Sequence, residues 1–556
     1  MSEVKKGPNF LEQIIDEDLQ NDYSQEQLRF RFPPEPNGFL HIGHVKAICL
    51  NFGLGKKYNA PVNLRFDDTN PVKEDTSFVD GIKNDIQWLG FEWDKEVYAS
   101  DYFEQLYDWA HQLIDKGLAY VDSQDSETIA SQKGTPTQAG TPSPFRDRPI
   151  DENKRLFSEM KEGIFQEGEH VLRAKIDMAS PNMLLRDPIM YRILFKPHHR
   201  TGSTWCIYPM YDWTHGESDY IEQVSHSLCT LEFKPHRELY DWFLTALSPL
   251  EGLRPKQREF SRLNLSYTVT SKRKLAQLIE QNIVSGWDDP RMPTIAGLRR
   301  RGYTPQSLQK FVETAGISKR ENVIDVGLLE FCVREHLNQI APRVHVVMDP
   351  VKLTITNYPD DQDEILQGEL NPEDDQAGSR EIPFSKHLFI ERDDFKEEAN
   401  RKFFRLTLGK EVRLKNAYII KGEDVIKNDA GEIIEIRCTY DPDSKSGSGS
   451  EASQRKVKGT LHWVSQPHAV EVNVNSYDRL FAHESPDKTD ANFMQYLNPN
   501  SLHQSKAYAE PFIKNAQHEE SYQFQRIGYF TVDKASTGAS LIFNKTVGLR
   551  DTWAKK

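Results

Sequence analysis

The run Pro34-Glu35-Pro36-Asn37-Gly38-Phe39-Leu40-His41-Ile42-Gly43-His44 gathers groups suited to holding phosphate. It follows the alternating strand-like string Gln27-Leu28-Arg29-Phe30-Arg31-Phe32, which Pro33-Pro34 terminates. It opens a stretch whose apolar residues, Leu40, Ile42, Val45, Ile48, Leu50 and Phe52, keep helical spacing, with Gly53 and Gly55 placed to close the helix. A helix N-terminus offers unpaired N–H groups and the positive end of its dipole to an anion. His41 and His44 are three apart and share one helix face. They can donate hydrogen bonds to a phosphate whose charge grows in a transition state. Gly43 lets a flat base approach the backbone closely. Two histidines alone also suit a capped surface helix, or part of a metal site, but no H-E-x-x-H pattern or nearby cysteine accompanies them.

A second phosphate-handling string is Val269-Thr270-Ser271-Lys272-Arg273-Lys274. A small hydroxylated loop with a central lysine can fold over a polyphosphate and neutralise it. The same run also reads as a solvated helix start or a general anion patch. Nothing in the chain reads as a nucleophile–base triad.

Pro61-Val62-Asn63-Leu64-Arg65-Phe66 forms a second strand, with Asp67 at its end. Strand, loop, helix, strand is a βαβ unit, which predicts an α/β fold with a parallel sheet whose ligands bind beyond the carboxyl ends of its strands. A second α/β stretch begins near Trp205-Cys206-Ile207-Tyr208-Pro209-Met210-Tyr211. Between the two, loop chemistry at Gly134-Thr135-Pro136-Thr137 and Ala139-Gly140-Thr141-Pro142-Ser143-Pro144 marks an insertion. Helical patterning runs over 274–340, with a break at Ser285-Gly286-Trp287-Asp288-Asp289-Pro290. After Arg343 come short alternating strands: His345–Met348, Lys352–Ile355, Glu411–Leu414 and Lys458–Val464. Ser444-Lys445-Ser446-Gly447-Ser448-Gly449-Ser450 is a flexible loop by composition.

A length of 556 residues fits about three or four domains. The five cysteines form no C-x-x-C pair, which argues against a disulfide framework or a cysteine-rich zinc site. The N-terminus carries no apolar signal region, and no stretch of 18 apolar residues occurs. A soluble, reduced, cytoplasmic protein without membrane attachment is expected.

The H-I-G-H string, the Ser-Lys-Arg-Lys run over two hundred residues later and the α/β pattern between them resemble a class I aminoacyl-tRNA synthetase. More narrowly, the chain resembles the glutaminyl-tRNA synthetases. The strings that carry this are Arg31-Phe32-Pro33-Pro34-Glu35-Pro36-Asn37-Gly38, Leu64-Arg65-Phe66-Asp67-Asp68-Thr69-Asn70-Pro71, Trp205-Cys206-Ile207-Tyr208-Pro209-Met210-Tyr211-Asp212 and His226-Ser227-Leu228-Cys229-Thr230-Leu231-Glu232-Phe233. Gly286-Trp287-Asp288-Asp289-Pro290-Arg291-Met292-Pro293-Thr294 and the closing Thr546-Val547-Gly548-Leu549-Arg550-Asp551-Thr552-Trp553 extend the likeness over nearly the whole chain.

The resemblance implies an α/β chain with a split Rossmann-type parallel-sheet catalytic domain at 1–110 and 211–270. It implies an inserted α+β acceptor-stem-binding domain at 111–210 and a helical linking domain at 271–340. Two anticodon-binding β-barrels follow at 341–556, the distal one at about 390–475. The implied activity joins L-glutamine to the terminal adenosine of its cognate tRNA, tRNA(Gln), with ATP and Mg²⁺ and without a resident metal, in a monomer.

By similarity His41, His44 and Lys272 are catalytic. ATP is contacted by Glu35, Pro36, Asn37, His41, Ile42, Gly43, His44, Val45, Lys46, Ala47, Thr230, Arg262, Leu263, Thr270, Ser271 and Lys272. Glutamine is contacted by Arg31, Asp67, Tyr211, Cys229 and Gln257, with Asp67 on the α-ammonium and Tyr211 on the side-chain amide. Candidate tRNA contacts are Pro136, Arg343, Lys402, Arg405, Arg413, Lys415, Gln523 and Arg526.

The nearest rival is glutamyl-tRNA synthetase of the archaeal and eukaryotic type, which carries Arg in the stretch that reads His226-Ser227-Leu228-Cys229 here. Neutral Cys229 would leave a γ-carboxylate buried without a counter-charge. A catalytically inactive RNA-binding paralogue is disfavoured because His41, His44, Asp67 and Lys272 are all present. A non-synthetase nucleotidyltransferase would leave the β-rich C-terminal half unexplained. Departures from the family pattern are Thr270 for a usual Met and residues 216–225 in the pocket wall. Lys234-Pro235 stands where an acceptor-stem-reading Asp is common, and Pro136 where a Leu wedge is usual.

The formal net charge of −14 argues against a surface that grips any polyanion. It is an average over unlike regions. Residues 401–421 hold seven basic side chains against one acidic, residues 270–303 seven against three, and residues 360–375 eight acidic and none basic. An acidic body with a basic track predicts where one shaped RNA lies.

Overall fold

The computed structural model describes residues 7–72, 74–489, 491–538 and 540–551. Thr552 and Trp553 of the closing string therefore lie outside the described residues. The chain forms two compact units. The first runs through Asn264 and takes back Val312–Ile324. The second holds Leu265–Phe311 and the described chain from Asp325 onward.

In the first unit β1 (Phe30–Phe32), the helix α1 (Ile42–Tyr58), β2 (Val62–Phe66) and β3 (Glu96–Tyr98) build the expected βαβ layer. The three strands are parallel in the order β1-β2-β3, with Arg31 opposite Asn63 and Arg65 opposite Val97. Every residue of β1 and β2 is buried, as in a parallel sheet covered on both faces. Arg31, Asn63 and Arg65 are thus interior polar groups that must find partners inside.

Gly53 and Gly55 do not end α1. The helix continues to Tyr58 and closes on Asn59 in the left-handed conformation, whose N–H bonds the carbonyls of Gly55 and Lys56. Gly55 serves close packing: a Cβ there would come within 2.4 Å of Val62 Cγ2.

An antiparallel four-stranded sheet follows in the order β4 (Ala119–Asp122), β5 (Val171–Ala174), β6 (Ile189–Ile193), β7 (Ile207–Pro209). Its core includes Phe157, Met160, Tyr191, Trp205 and Trp213. The helix α2 (Tyr211–Ile221) then leads into two more parallel strands, β8 (His226–Thr230) and β9 (Lys256–Phe260). The Ser225 N–H donates to the Arg29 carbonyl, and the Arg29 N–H to Ser225 Oγ at 3.0 Å, which sets the start of β8 beside the start of β1. The carboxyl ends of β1, β2, β8 and β9 therefore open toward one crevice.

In the second unit the helices α3 (Lys272–Glu280), Ile295–Arg300 and Val326–Ile340 precede two seven-stranded mixed sheets. One sheet takes its strands from Pro350 to Ser465 and the other from 343–347 and 470–548. Pro350–Ile355 lies inside the first sheet, paired with His387–Glu391 on one side and Ile433–Asp441 on the other. That sheet therefore begins well before residue 390. The serine- and glycine-rich run after Asp441 is not loose. Ser446 donates twice to the Ala417 carbonyl at 2.8 Å, and Ser444 Oγ caps Ile419 N–H at 2.8 Å. No helix among the described residues is long and apolar enough to cross a membrane.

Candidate active site

His41 is the N-cap of α1 rather than a member of its face. Its Nδ1 accepts the Gly43 N–H at 3.1 Å, while Nδ1 of His44 accepts the His41 N–H at 3.1 Å. The two residues form a capping box made of imidazoles, with ring centres 4.0 Å apart. Because both Nδ1 atoms accept, a neutral ring carries its proton on Nε2 in each case, which makes both Nε2–H groups donors. Gly43 has a local reason beyond access for a base: a Cβ there would meet His41 Cε1 at 2.8 Å and Nδ1 at 2.9 Å.

The loop before α1 is pinned to the end of β2. Pro34 carbonyl accepts the Asp67 N–H at 3.1 Å, Pro36 carbonyl accepts the Asp75 N–H at 3.2 Å, and Asn37 donates to Glu35. Ile42 and Val45 are core side chains, so only their backbone can face a ligand. The Lys46 ammonium is buried against Ser261, at 2.7 Å from the carbonyl and 3.1 Å from Oγ, and burial lowers its pKa. It ties α1 to the end of β9. Ala47 is half-buried one residue further along the helix.

Leu263 is buried with its carbonyl beside Gly43. Arg262 is exposed near Glu232 and Glu321, and Thr230 Oγ1 donates to Glu232 at 2.8 Å. In the second unit Thr270 and Ser271 precede α3. Ser271 is its N-cap residue and Lys272 its first helical residue, so the expected loop lysine sits on a helical turn.

The floor of the crevice is a charged network. Arg31 is fully buried. It donates from Nε to Asp219 at 3.0 Å, from Nη1 to the Leu228 carbonyl at 2.9 Å, and from Nη2 to Ser227 Oγ at 2.6 Å and His215 Nε2 at 2.8 Å. Its guanidinium is thus held by protein acceptors, with the Cys229 thiol 3.6 Å away. Arg65 bonds Asp67 Oδ1 and Glu222 at 2.9 Å each and lies 2.8 Å from Asp219.

Burial opposes ionisation of Asp219, but the charges of Arg31 and Arg65 outweigh it and hold this carboxyl far below the usual range. Burial lowers His215 to about 3, so it stands neutral beside Arg31. Burial raises Asp67 to about 7 despite the attraction of Arg65 and Arg31. Its Oδ2 is buried with no hydrogen-bond partner among the described residues.

Tyr211 opens α2, stacks on His215 with centres 5.1 Å apart and lies near Phe233 at 5.5 Å. Burial, with the charge of Asp67 and the nearby Cys229, raises its hydroxyl pKa far above 10. Burial likewise raises Cys229, keeping it a neutral thiol. Gln257 donates to the Phe233 carbonyl and Glu259 at 3.0 Å each, leaving a buried Oε1 acceptor without a partner. The structure therefore brings Asp67, Tyr211 and Cys229 around Arg31, with Gln257 bonded to the carbonyl of Phe233, the residue whose ring lies beside Tyr211. Sequence reasoning missed Arg65, Asp219 and Glu222; the signal for Arg65 was a charge inside the buried strand β2, whereas Asp219 lies in α2 and Glu222 caps its end, where the sequence alone offers none.

Asp68, His198 and His199 are the metal-capable group among the described residues. They do not fit a metal as they stand. His198 Nδ1 accepts the N–H groups of Arg200 and Thr201 at 3.2 and 3.3 Å. Its proton must then sit on Nε2, which points at the Asp68 carbonyl at 2.8 Å.

Of the RNA candidates, Pro136 sits on an exposed turn whose carbonyls, Lys133, Thr135 and Gln138, are all gripped by buried Arg186 at 2.6 to 2.9 Å. Arg343 and Gln523 are partners on adjacent strands. Arg343 is largely buried and bonds Ala341 and Asn338, while Gln523 donates to Tyr529 at 2.9 Å. Lys415 is half-buried, and burial together with the charges of Arg380 and Arg343 lowers its pKa. The Arg413 guanidinium holds the carbonyls of Ser444, Ser453 and Arg455. Arg526 pairs bidentately with Asp394, which also engages Arg405 at 3.3 Å. Lys402 and Arg405 lie on an exposed segment with Phe404, itself 53% exposed.

A family model described as tRNA synthetases class I (E and Q), catalytic domain, matches residues 27–339. Two models for the anti-codon binding domain of the same group match 341–441 and 460–533. The chain is 55% identical over 556 residues to the glutamine–tRNA ligase of Rhodopirellula baltica, covering 100% of this chain and 91% of that protein. It is 54% identical over 557 residues to the glutamine–tRNA ligase of Proteus mirabilis, covering 100% and 99%, and 53% identical over 558 residues to that of Vibrio vulnificus, again 100% and 99%. With family models along most of its length and relatives aligned from end to end, the chain belongs to the class I tRNA synthetases of the E and Q group.

Proposed function

We propose that this chain is a glutamine–tRNA ligase. It uses ATP to convert L-glutamine to glutaminyl-adenylate and transfers the aminoacyl group to the terminal adenosine of tRNA(Gln), releasing AMP and diphosphate. The relatives named above support the activity. The observation that carries the amino-acid choice is the charge of the floor. Two guanidiniums, Arg31 and Arg65, face three carboxylates, Asp219, Glu222 and Asp67. No uncompensated cation is left for a γ-carboxylate, whereas a neutral amide meets a hydroxyl, a thiol and an amide oxygen. Asp67 Oδ2 is the acceptor suited to the α-ammonium.

In this reading the glutamine carboxylate attacks the α-phosphorus, diphosphate leaves, and a ribose hydroxyl then takes the acyl group from AMP. The protein supplies orientation and charge stabilisation, with no covalent intermediate of its own. His41 and His44 donate from Nε2 to the phosphates, Lys272 adds a cation, and Mg²⁺ arrives on ATP as part of the substrate. The two seven-stranded sheets read the anticodon, with Arg343, Lys415, Gln523, Lys402 and Arg405 as contacts and Arg413 and Arg526 as supports. The protein acts as a cytoplasmic monomer. Charging of tRNA with glutamine against glutamate tests the reading. Preference for glutamate, or no diphosphate exchange with or without tRNA, would overturn it.

A further inference from the structure

The residues that hold Asp67 in place come from an element far from it in sequence. The segment 67–70 after β2 is fastened at three points. At its start, Asp67 N–H bonds the Pro34 carbonyl at 3.1 Å. At its end, Asn70 N–H bonds Glu74 Oε1 at 2.7 Å. Between them Asp68 is clamped. Its carboxylate, fully buried, accepts Ser100 N–H at 2.8 Å, Ser100 Oγ at 2.7 Å and His199 Nε2 at 3.2 Å. Its carbonyl accepts the Nε2–H of His198, whose tautomer is fixed by the N–H groups of Arg200 and Thr201.

His198 belongs to the turn between β6 and β7, closed by reciprocal bonds of 2.9 Å between His198 and Gly202. The imidazole is 2% exposed and packs on Phe103 and Tyr208, so it has no freedom to follow a moving backbone. A buried carbonyl that loses its donor is penalised unless the backbone turns to find another. Here the turn would rotate the Asp68–Thr69 peptide, loosen the hold on Asp68 and let the adjoining Asp67 shift its Oδ2.

We propose that His198, aided by Ser100, is a positioning residue for the amino-acid step: by clamping Asp68 it fixes the Asp67 carboxylate that receives the α-ammonium. This rests on the assignment of Asp67 made above. His198 touches no substrate in this account and acts only through Asp68.

The test is steady-state diphosphate exchange with tRNA present, for Asp67→Asn, His198→Leu, His198→Gln and Ser100→Ala. His198→Leu removes the donor at similar bulk and is expected to raise KM for glutamine about tenfold, with KM for ATP unchanged. His198→Gln returns an N–H donor and should restore KM. Ser100→Ala, a change of one hydroxyl, should raise glutamine KM about threefold, and it decides the matter if His198→Leu does not fold. Asp67→Asn should raise glutamine KM more than any of these. If Asp67→Asn does so while His198→Leu and Ser100→Ala leave glutamine KM unchanged, the clamp is wrong and the Asp67 assignment stands. If Asp67→Asn leaves it unchanged, the assignment itself fails. Equal rises for glutamine and ATP, or no rescue by His198→Gln, would also overturn the clamp.

Discussion

Arg31 and Asp219 form an ion pair 3.0 Å long with both side chains fully buried, directly beneath Cys229. Asp219 serves Arg65 as well, at 2.8 Å. One carboxylate thus helps to balance two guanidiniums at the base of the crevice.

Removing that balance should have two effects together. Asp219→Asn takes from Arg31 its buried ion-pair partner and is expected to destabilise the protein by about 3–5 kcal/mol. With two carboxylates instead of three facing the two guanidiniums, the floor repels a γ-carboxylate less, so the preference for glutamine over glutamate should narrow. Denaturant melts and paired charging assays read the two effects. An unchanged preference in a folded Asp219→Asn variant would show that charge balance does not set the choice.

Asp67 makes glutamine binding pH-dependent. In the protein alone its pKa stands at about 7 against an ordinary 3.8. A raised carboxyl holds its proton more tightly when folded. Its contribution to stability is therefore present below 3.8 and lost as pH rises through about 7. Binding runs the other way, because only the carboxylate attracts the ammonium. KM for glutamine should fall as pH rises toward 7 and level off above it, changing about tenfold per pH unit on the acidic side. A KM that is flat between pH 5.5 and 8 would rule out Asp67 as the titrating contact.

Glu217 is fully buried on α2, and neither carboxyl oxygen has a hydrogen-bond partner among the described residues. Burial raises its pKa well above 4.5, so its folded state favours the proton, and stability is lost as pH rises beyond 4.5. Glu217→Leu should stabilise the protein by about 1–3 kcal/mol at neutral pH, with the gain shrinking toward pH 4. Melting curves at the two pH values decide it, and a destabilised variant at neutral pH would speak for an unrecognised role of the carboxyl.

Gly43→Ala places a methyl against the His41 ring, within 2.9 Å of two of its atoms. The imidazole must move, and with it the Nε2–H donor. Diphosphate exchange should fall about 10²-fold while the melting temperature changes little. Wild-type exchange in this variant would free His41 from any fixed-geometry role.

The βαβ layer and the position of Asp67 after β2 were legible because apolar periodicity and the order of elements encode them locally. Arg31 was legible only as a name in a motif. That its guanidinium is committed to Asp219, Leu228, Ser227 and His215 depends on α2 and β8 being brought to β1 from almost two hundred residues away. Gly53 and Gly55 read as a helix end because sequence gives no view of Val62 packed against Gly55. The partners of Arg413 and Arg526 were hidden for the same reason, since a basic side chain looks alike in sequence whether it faces solvent, a backbone carbonyl or Asp394.

The central claim is that this floor selects a neutral amide. The most direct measurement is kcat/KM for diphosphate exchange with glutamine and with glutamate, in the same preparation with tRNA present. The account predicts a preference for glutamine of at least about 10³-fold, the scale expected when a buried carboxylate lacks a partner. Equal values, or a preference for glutamate, would contradict it.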